Sequence, residues 1–383
     1  MDANITNRII ANTKDALPFI KSFLEKIVSL ESPTDNPAVQ QPLLTTIAEE
    51  FLKLGYNVIQ MPGNISGGYL YARPGNRIKN QPIQLLIGHC DTVWPLSTIE
   101  EMPIVSDNGK MTGPGIFDMK AGLTQIIFAL KTIKELDLKL TYTPVVLINS
   151  DEEKGSREST DIIKRLSRIA ARAYVLEPPL GLDGKLKTAR KGLGRFTLTV
   201  VGKSAHAGLE PGKGASAILE LSHQIQELFK LNDHEKGITV NVGMIEGGMN
   251  PNVIAPMAKA IVDVRVLTHK DGERIAQQIK SLKAFNPETE LIVEGYIGRP
   301  PMEKTKRNQE IWRSAQKIGV QMGLQLKEAT AGGGSDGNTT SLFTATLDGL
   351  GTTGDGAHAR HEHILTDKLV ERTALLTHLL AMD

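Results

Sequence analysis

The 383-residue chain has a single cysteine, almost no net charge and no long apolar run, and each lack narrows what it can be. One thiol, Cys90, excludes an internal disulfide framework and fits a reducing compartment. With 44 basic against 43 acidic side chains, no broad field exists to gather nucleic acid or an anionic lipid surface. Neither is expected as a partner, so the substrate has to be recognised locally. No segment approaches the roughly 18 apolar residues of a membrane span. The start, "MDANITNRIIANTKDALPF", lacks the basic-then-apolar order of a secretion signal. A cytoplasmic protein without membrane association is the expectation. Short internal repeats and low-complexity tracts are also missing, which leaves a globular chain.

What is present suffices for a large core. The chain is 40% hydrophobic, and its length suggests about two domains. Apolar residues recur at helical spacing in "PFIKSFLEKIVSL" and again in "PLLTTIAEEFLKLGY", so two helices come first. Strands then alternate with helices: "YNVIQM", "GYLYAR", "IQLLIG", the helix "AGLTQIIFALKTIKEL", "PVVLIN", a short helix near "DIIKRL", and "AYVLE". That order predicts a mixed, mostly parallel sheet flanked by helices. After Gly192 the order becomes strand, helix, strand, strand, helix, strand, a split βαβ unit that predicts a ferredoxin-like α+β insert. The paired prolines in "GRPPMEKT" end it. The expected organisation is a catalytic domain in two parts, 1–191 and 303–383, interrupted by a lid at 192–302.

In an open α/β sheet, ligands bind beyond the carboxyl ends of the strands. The first such end supplies His89 and Asp91. Two apart in extended chain, they point to the same side, whereas Cys90 between them points away and reads as a buried structural thiol. "PVVLIN" runs into "SDEEKGS", with Asp151, Glu152 and Glu153 together, and "AYVLEPP" ends in Glu177. "GPGIFDMKAG" places Asp118 in a glycine-bracketed loop leading into a helix. So many acids repel one another unless a cation sits among them. Imidazole and carboxylates without thiolate suit zinc in an open catalytic site, and their number points to two ions sharing a bridging carboxylate. A second imidazole is available from "GDGAHARHEHI", where His358, His361 and His363 compete. Each motif has an ordinary reading when taken alone: a hydrogen-bonded turn for His-x-Asp, a solvated run for "DEEK". Their convergence at successive sheet ends favours a metal site. "GGGSDG" matches G-x-G-x-x-G, but without an N-terminal βαβ context it reads as a loop approached closely by substrate.

The set "GHCDTV", "GPGIFDMKAG", "SDEEKGS", "LEPP" and "GDGAHARHE", in this order and spacing, resembles the metal-site motifs of the zinc-dependent carboxypeptidase, aminoacylase and deacetylase superfamily. The nearest likeness is to the bacterial glutamate carboxypeptidase branch of folate-hydrolysing type, from about residue 15 to the C-terminus. The resemblance implies two Zn2+ per subunit, with His89 and Glu177 on one, Glu153 and His358 on the other, and Asp118 bridging. It implies Asp91 as the carboxylate that orients His89, and a cis peptide after Asp118. Glu152 becomes the general base toward a water held between the ions. In "GKSAHAG", His206 would steady an oxyanion across a dimer formed by the lid domain. Asn252 of "MNPNVIAP", Arg265 of "IVDVRV" and Gly334 would contact substrate, Arg265 as a fork on the terminal carboxylate. Glu177 stands where the di- and tripeptidase branch resembles aspartate, which favours the carboxypeptidase and deacylase side.

The expected activity is therefore hydrolysis of the amide joining a peptidyl or acyl group to a C-terminal amino acid, by a homodimeric di-zinc enzyme acting on a small peptide or N-acyl amino acid. An N-acyl-amino-acid deacylase is the nearest competitor. A silent metal- or peptide-binding protein has no use for Glu152 beside its ligands, and a nicotinamide oxidoreductase lacks a supporting fold context.

Overall fold

The structure is a computed structural model that describes residues 3–382. The chain divides into two compact units. The first runs up to Thr188 and takes in Lys304–Thr330 and the chain from Ser335 onward; the second comprises Ala189–Glu303 and Ala331–Gly334.

A six-stranded sheet organises the first unit, in the order Tyr56–Met61, Tyr69–Pro74, Thr143–Asn149, Ile83–His89, Ala170–Val175, Ala345–Leu347. The first two pairings are antiparallel and the other three parallel. Ile83–His89 and Thr143–Asn149 are buried at every position, the mark of strands covered on both faces. Alternation decides which core each residue joins. Leu86, Val146 and Tyr174 pack with Leu123, Ile127 and Leu376 from helices on one face. Leu85, Ile87, Val145 and Val175 pack with Ile163 and Leu166 of the helix Thr160–Ile169 on the other.

Two glycines let the loop that carries Asp118 approach the strand ends. A Cβ at Gly88 would lie 2.7 Å from Met119 Cε and 2.9 Å from Leu123 Cδ2. A Cβ at Gly122 would lie 2.2 Å from the carbonyl oxygen of Leu176, so the helix Ala121–Glu135 starts hard against the strand that leads to Glu177. Any larger residue at either point would push Asp118 away from the sheet.

The helical start differs from the sequence reading. Three helices, not two, precede the sheet: Ala3–Asp15, Leu17–Ser29 and Pro37–Lys53. The first is polar, with threonines and a single buried isoleucine, Ile9, on its inner face, so its apolar period is faint. The third begins at Pro37, and Pro42, read as its start, lies inside it. Strands of two or three residues (Gly354–Asp355, His363–Leu365, Lys110–Thr112, Ser106–Asp107) form a further small sheet with no periodicity to read.

The second unit has the predicted order: Gly192–Val201, helix Ala217–Phe229, Thr239–Gly247, Met257–Val266, helix His269–Lys280, Glu290–Arg299. Its four strands are all antiparallel, in the order Thr239–Gly247, Met257–Val266, Gly192–Val201, Glu290–Arg299. This is the ferredoxin-like arrangement. One face is a core of Phe196, Leu198, Val200, Val262 and Val264 under Leu221, Leu228, Ile275 and Ile279. The hydroxyls of Ser216 and Thr268 cap the two helices by accepting the N–H of Leu219 and Asp271. Thr239–Gly247 is an edge strand with Met244 and Ile245 exposed.

Candidate metal centre

His89 ends the central strand and is 1% exposed. Its Nδ1 lies 3.0 Å from the carbonyl oxygen of Asp91 and 3.4 Å from that residue's carboxylate. Its Nε2 lies 3.2 Å from Asp118 Oδ1 and 3.5 Å from Glu177 Oε1. Both ring nitrogens thus face oxygen acceptors only. A neutral imidazole has one donor to offer, so the second nitrogen needs a proton or a cation. Burial alone would lower the His89 pKa, but hydrogen bonds to Asp118, Asp91 and Glu177 raise it well above the ordinary value.

On the far side of Asp118, His358 Nε2 lies 3.6 Å from Asp118 Oδ2 and 3.1 Å from Glu153 Oε2. The two oxygens of Asp118 are therefore directed to two different imidazoles. The His358 pKa is raised to about 9 by its hydrogen bond to Glu153, against the opposing effect of burial. His358 adopts the left-handed backbone region (φ +61), an outlier of the kind that clusters at functional sites. Its competitors face elsewhere: His363 is hydrogen-bonded through Nδ1 to the His361 carbonyl, and His361 is exposed. Two overlapping groups, His89 with Glu152 and Glu177, and His89 with Asp118 and Glu153, each bring one ligand atom per residue within 4.8 Å of the others. This donor set, imidazole and carboxylate without thiolate, fits a hard-to-borderline divalent ion such as zinc.

Asp91 is fully buried and its carboxylate has further partners. It accepts the Thr34 hydroxyl at 2.8 Å and the backbone N–H groups of Glu152 and Glu153 at 3.2 Å each. It thus anchors the single turn Glu152–Lys154, as well as lying beside His89. The peptide between Asp118 and Met119 is cis. Cys90 is buried, and burial pushes its thiol pKa up.

Some contributors were given no role of their own from sequence. Glu362, four residues beyond His358, is 1% exposed and accepts N–H groups from Gly115, Phe117 and Asp118 and from the Trp94 indole. Burial pushes its carboxyl up to about 7, against the pull of those donors. Asp336, inside "GGGSDG", accepts from the Ser156 hydroxyl and from Asn149 Nδ2, so it braces the turn that carries Glu152 and Glu153. Glu362 is the acid four positions after His358 that, with the small residues before it, singles out that histidine among the three in the sequence, but its donors are not readable from spacing, and nothing in the sequence marks Thr34 or Asp336 as partners of these loops. Beside Glu153 a crevice of about 240 Å³ is lined by Thr34, Asp35, Trp94 and Lys154.

The remaining sequence-predicted residues, His206, Asn252, Arg265 and Gly334, lie in the second unit. The Ala207 N–H donates to the Asn252 carbonyl, which makes His206 and Asn252 neighbours on exposed loops. His206 Nδ1 accepts the N–H of Gly208 and Leu209, which makes Nε2 the ring atom that can donate. Arg265 Nε pairs with Asp263 at 2.7 Å, and its Nη1 donates to the Gly332 carbonyl at 3.2 Å, next to Gly334 in the same loop. A Cβ at Gly334 would meet Arg299 Cδ at 2.8 Å and Leu193 Cδ1 at 2.9 Å.

Residues 188–286 match the peptidase dimerisation domain of the M20 family. The chain is 26% identical to carboxypeptidase G2 of Pseudomonas sp. (strain RS-16), over 98% of this chain and 92% of that protein. It is 25% identical to acetylornithine deacetylase of Myxococcus xanthus, over 70% and 72% of the two chains. Among solved structures, aminopeptidase PepT from Bacillus cereus ATCC 10987 matches with a TM-score of 0.82 at 22% identity, over 95% of this chain and 98% of that one, a likeness of fold. With the motifs, these similarities show a hydrolase that carries the M20 peptidase dimerisation domain and is similar over nearly its whole length to a carboxypeptidase of the carboxypeptidase, aminoacylase and deacetylase superfamily.

Proposed function

We propose that this hydrolase holds two zinc ions and cleaves the amide that joins a peptidyl or acyl group to a C-terminal amino acid, with glutamate the first candidate. One observation carries the metal reading. His89 presents Nε2 to the carboxylates of Asp118 and Glu177 while its Nδ1 is engaged by the Asp91 carbonyl, an arrangement of acceptors around an acceptor that a cation resolves. His89 and Glu177 would hold one ion, Glu153 and His358 the other, with Asp118 between. When bound, zinc supplies Lewis acidity toward the scissile carbonyl and makes water a competent nucleophile at neutral pH.

The chain's own groups do the rest. Glu152 neighbours a ligand but is assigned none of the ions, so its carboxylate takes the proton of the attacking water and passes it to the leaving nitrogen. His206 donates from Nε2 to the developing oxyanion, in keeping with its Nδ1 being occupied as an acceptor. Asn252, Arg265 and the Gly334 loop bind the substrate's terminal carboxylate. Asp263, already on Arg265 Nε, keeps that guanidinium in place, so a substrate carboxylate would meet its outer edge. A homodimer forms through the second unit, whose edge strand exposes Met244 and Ile245 and whose helix exposes Ile218 and Leu219. The single buried thiol agrees with a reducing, cytoplasmic setting.

Similarity to acetylornithine deacetylase supports a second reading, removal of an acyl group from an amino acid. Both are tested by one assay: release of free amino acid from N-acyl and dipeptide substrates ending in Glu, Asp, Leu or Arg, before and after chelation and zinc return. Zinc-restored release with glutamate preferred supports the carboxypeptidase. Release only from N-acyl substrates supports the deacylase, and no release from a zinc-loaded chain removes both.

A further inference from the structure

The anchoring of Asp118 points beyond the ligand set. We infer that Glu362 is a positioning residue of the metal centre: by gathering the N–H groups of loop 115–118, it fixes where the Asp118 carboxylate stands between His89 and His358. This rests on the reading of those residues as metal ligands.

Every polar contact of the Glu362 carboxylate is with a donor. Oε2 accepts the Gly115 N–H at 2.9 Å and the Trp94 indole N–H at 2.8 Å. Oε1 accepts the Phe117 N–H at 2.9 Å and the Asp118 N–H at 3.1 Å. A carboxylate offers about four acceptor positions, so these bonds use its capacity and leave none for a metal. The last donor is the backbone of Asp118 itself, one residue's reach from the carboxylate that has to be placed. Glu362 is tied at its other end to the turn that carries His358: its N–H donates to the Ala359 carbonyl, and the Ala359 N–H to that of Gly356. A Cβ at Gly356 would come within 2.9 Å of the Glu362 backbone, so the turn is tight. One buried side chain thereby couples two segments, each of which carries a proposed ligand, to a common frame. A glutamine could not replace it, because its amide nitrogen would face two N–H groups wherever it turned.

The test compares wild type and Glu362→Gln, both stripped by chelation and titrated with zinc by calorimetry, with bound metal counted afterwards. Removal of a group that orients a ligand typically weakens metal binding by about 10–100-fold. The expected result is a loss in that range with melting of the metal-free protein retained, and a fall in kcat with little change in KM. Zinc affinity and kcat both within about threefold of wild type would overturn the proposal while leaving the metal reading intact. A wild type that binds no zinc would overturn the metal reading and this inference together. Should Glu362→Gln not fold, hydrogen exchange of the metal-free wild type decides: protected amides at Gly115, Phe117 and Asp118 support the anchoring, and fast exchange there refutes it.

Discussion

Loading metal into the stripped protein should expel protons, because the carboxylates of the metal-free cluster raise the proton affinity of its imidazoles. His358 has a pKa near 9 through its bond to Glu153, and His89 is raised well above its ordinary value by Asp118, Asp91 and Glu177 after burial has acted against it. The His358 ring is therefore protonated near neutral pH, the His89 shift runs in the same direction, and a ligand nitrogen has to lose its proton before a cation can take the place. For His358 at pH 7.5, the competition is about 30-fold at face value. Half of that side chain is exposed, so solvent screening brings the effect nearer to about tenfold. The sign is fixed. Raising the pH removes the competing proton, so zinc affinity climbs by up to about a decade per pH unit from each imidazole, and the His358 share levels off above about 9. The metal-free protein shows the reverse. Stability from the His358–Glu153 pair is fully present below pH 6.5 and is lost as pH rises through about 9. Calorimetry in buffers of different ionisation enthalpy should count about one proton released from His358 on loading at pH 7.5, with any further release coming from His89. Zero release, or an affinity that stays flat between about pH 6.5 and 8.5, would refute both the ligand assignment and the electrostatic argument behind it.

Three further outcomes follow from the same geometry. Glu152→Gln should keep its zinc content while kcat falls by about 10²–10⁴-fold, checked by metal analysis and steady-state kinetics on one preparation; turnover within a few-fold of wild type would remove Glu152 as the base. Gly122→Ala forces a methyl against the Leu176 carbonyl at 2.2 Å, and should cost about 3 kcal/mol in denaturant unfolding and lower the zinc content, since Asp118 and Glu177 sit on the two segments pushed apart. Replacing Met244 and Ile245 with aspartate should leave the second unit folded, because both are exposed, yet shift the chain to monomers in sedimentation analysis; an unchanged dimer would place the interface on another face.

The sequence carried most of the fold where burial is periodic. Fully apolar runs marked the two central strands, and alternation marked the strands of the second unit. It failed where periodicity is weak, at the polar helix Ala3–Asp15, at the start of Pro37–Lys53 and in the strands of two or three residues. Candidate site residues stood out in the sequence for a related reason. A strand end is a fixed point in a parallel sheet, so an acid or histidine there has a known address. His89, Glu152, Glu153 and Glu177 have such addresses, and Asp118 has glycines around it. Partners such as Thr34 and Asp336 lie far away in the chain and meet the site only after the sheet forms, through bonds between loops that no local spacing encodes.

Those bonds share a logic. The turn with Glu152 and Glu153 hangs by its N–H groups from Asp91, and the loop with Asp118 hangs from Glu362. Asp151 accepts the N–H groups of Glu158 and Ser159, and Asp336 holds Ser156 and Asn149. The turn with Glu152 and Glu153 and the loop with Asp118 are thus tethered by buried acids bonded to backbone N–H or side-chain donors. Such an acid is stabilised by dipoles directed at it, and needs no lysine that would compete with a metal for the ligands. The same economy makes the site more negative as a whole, since the tethers add charge behind the ligands. A site built this way favours a doubly charged ion over the protons it displaces, and holds its carboxylates in place before that ion arrives.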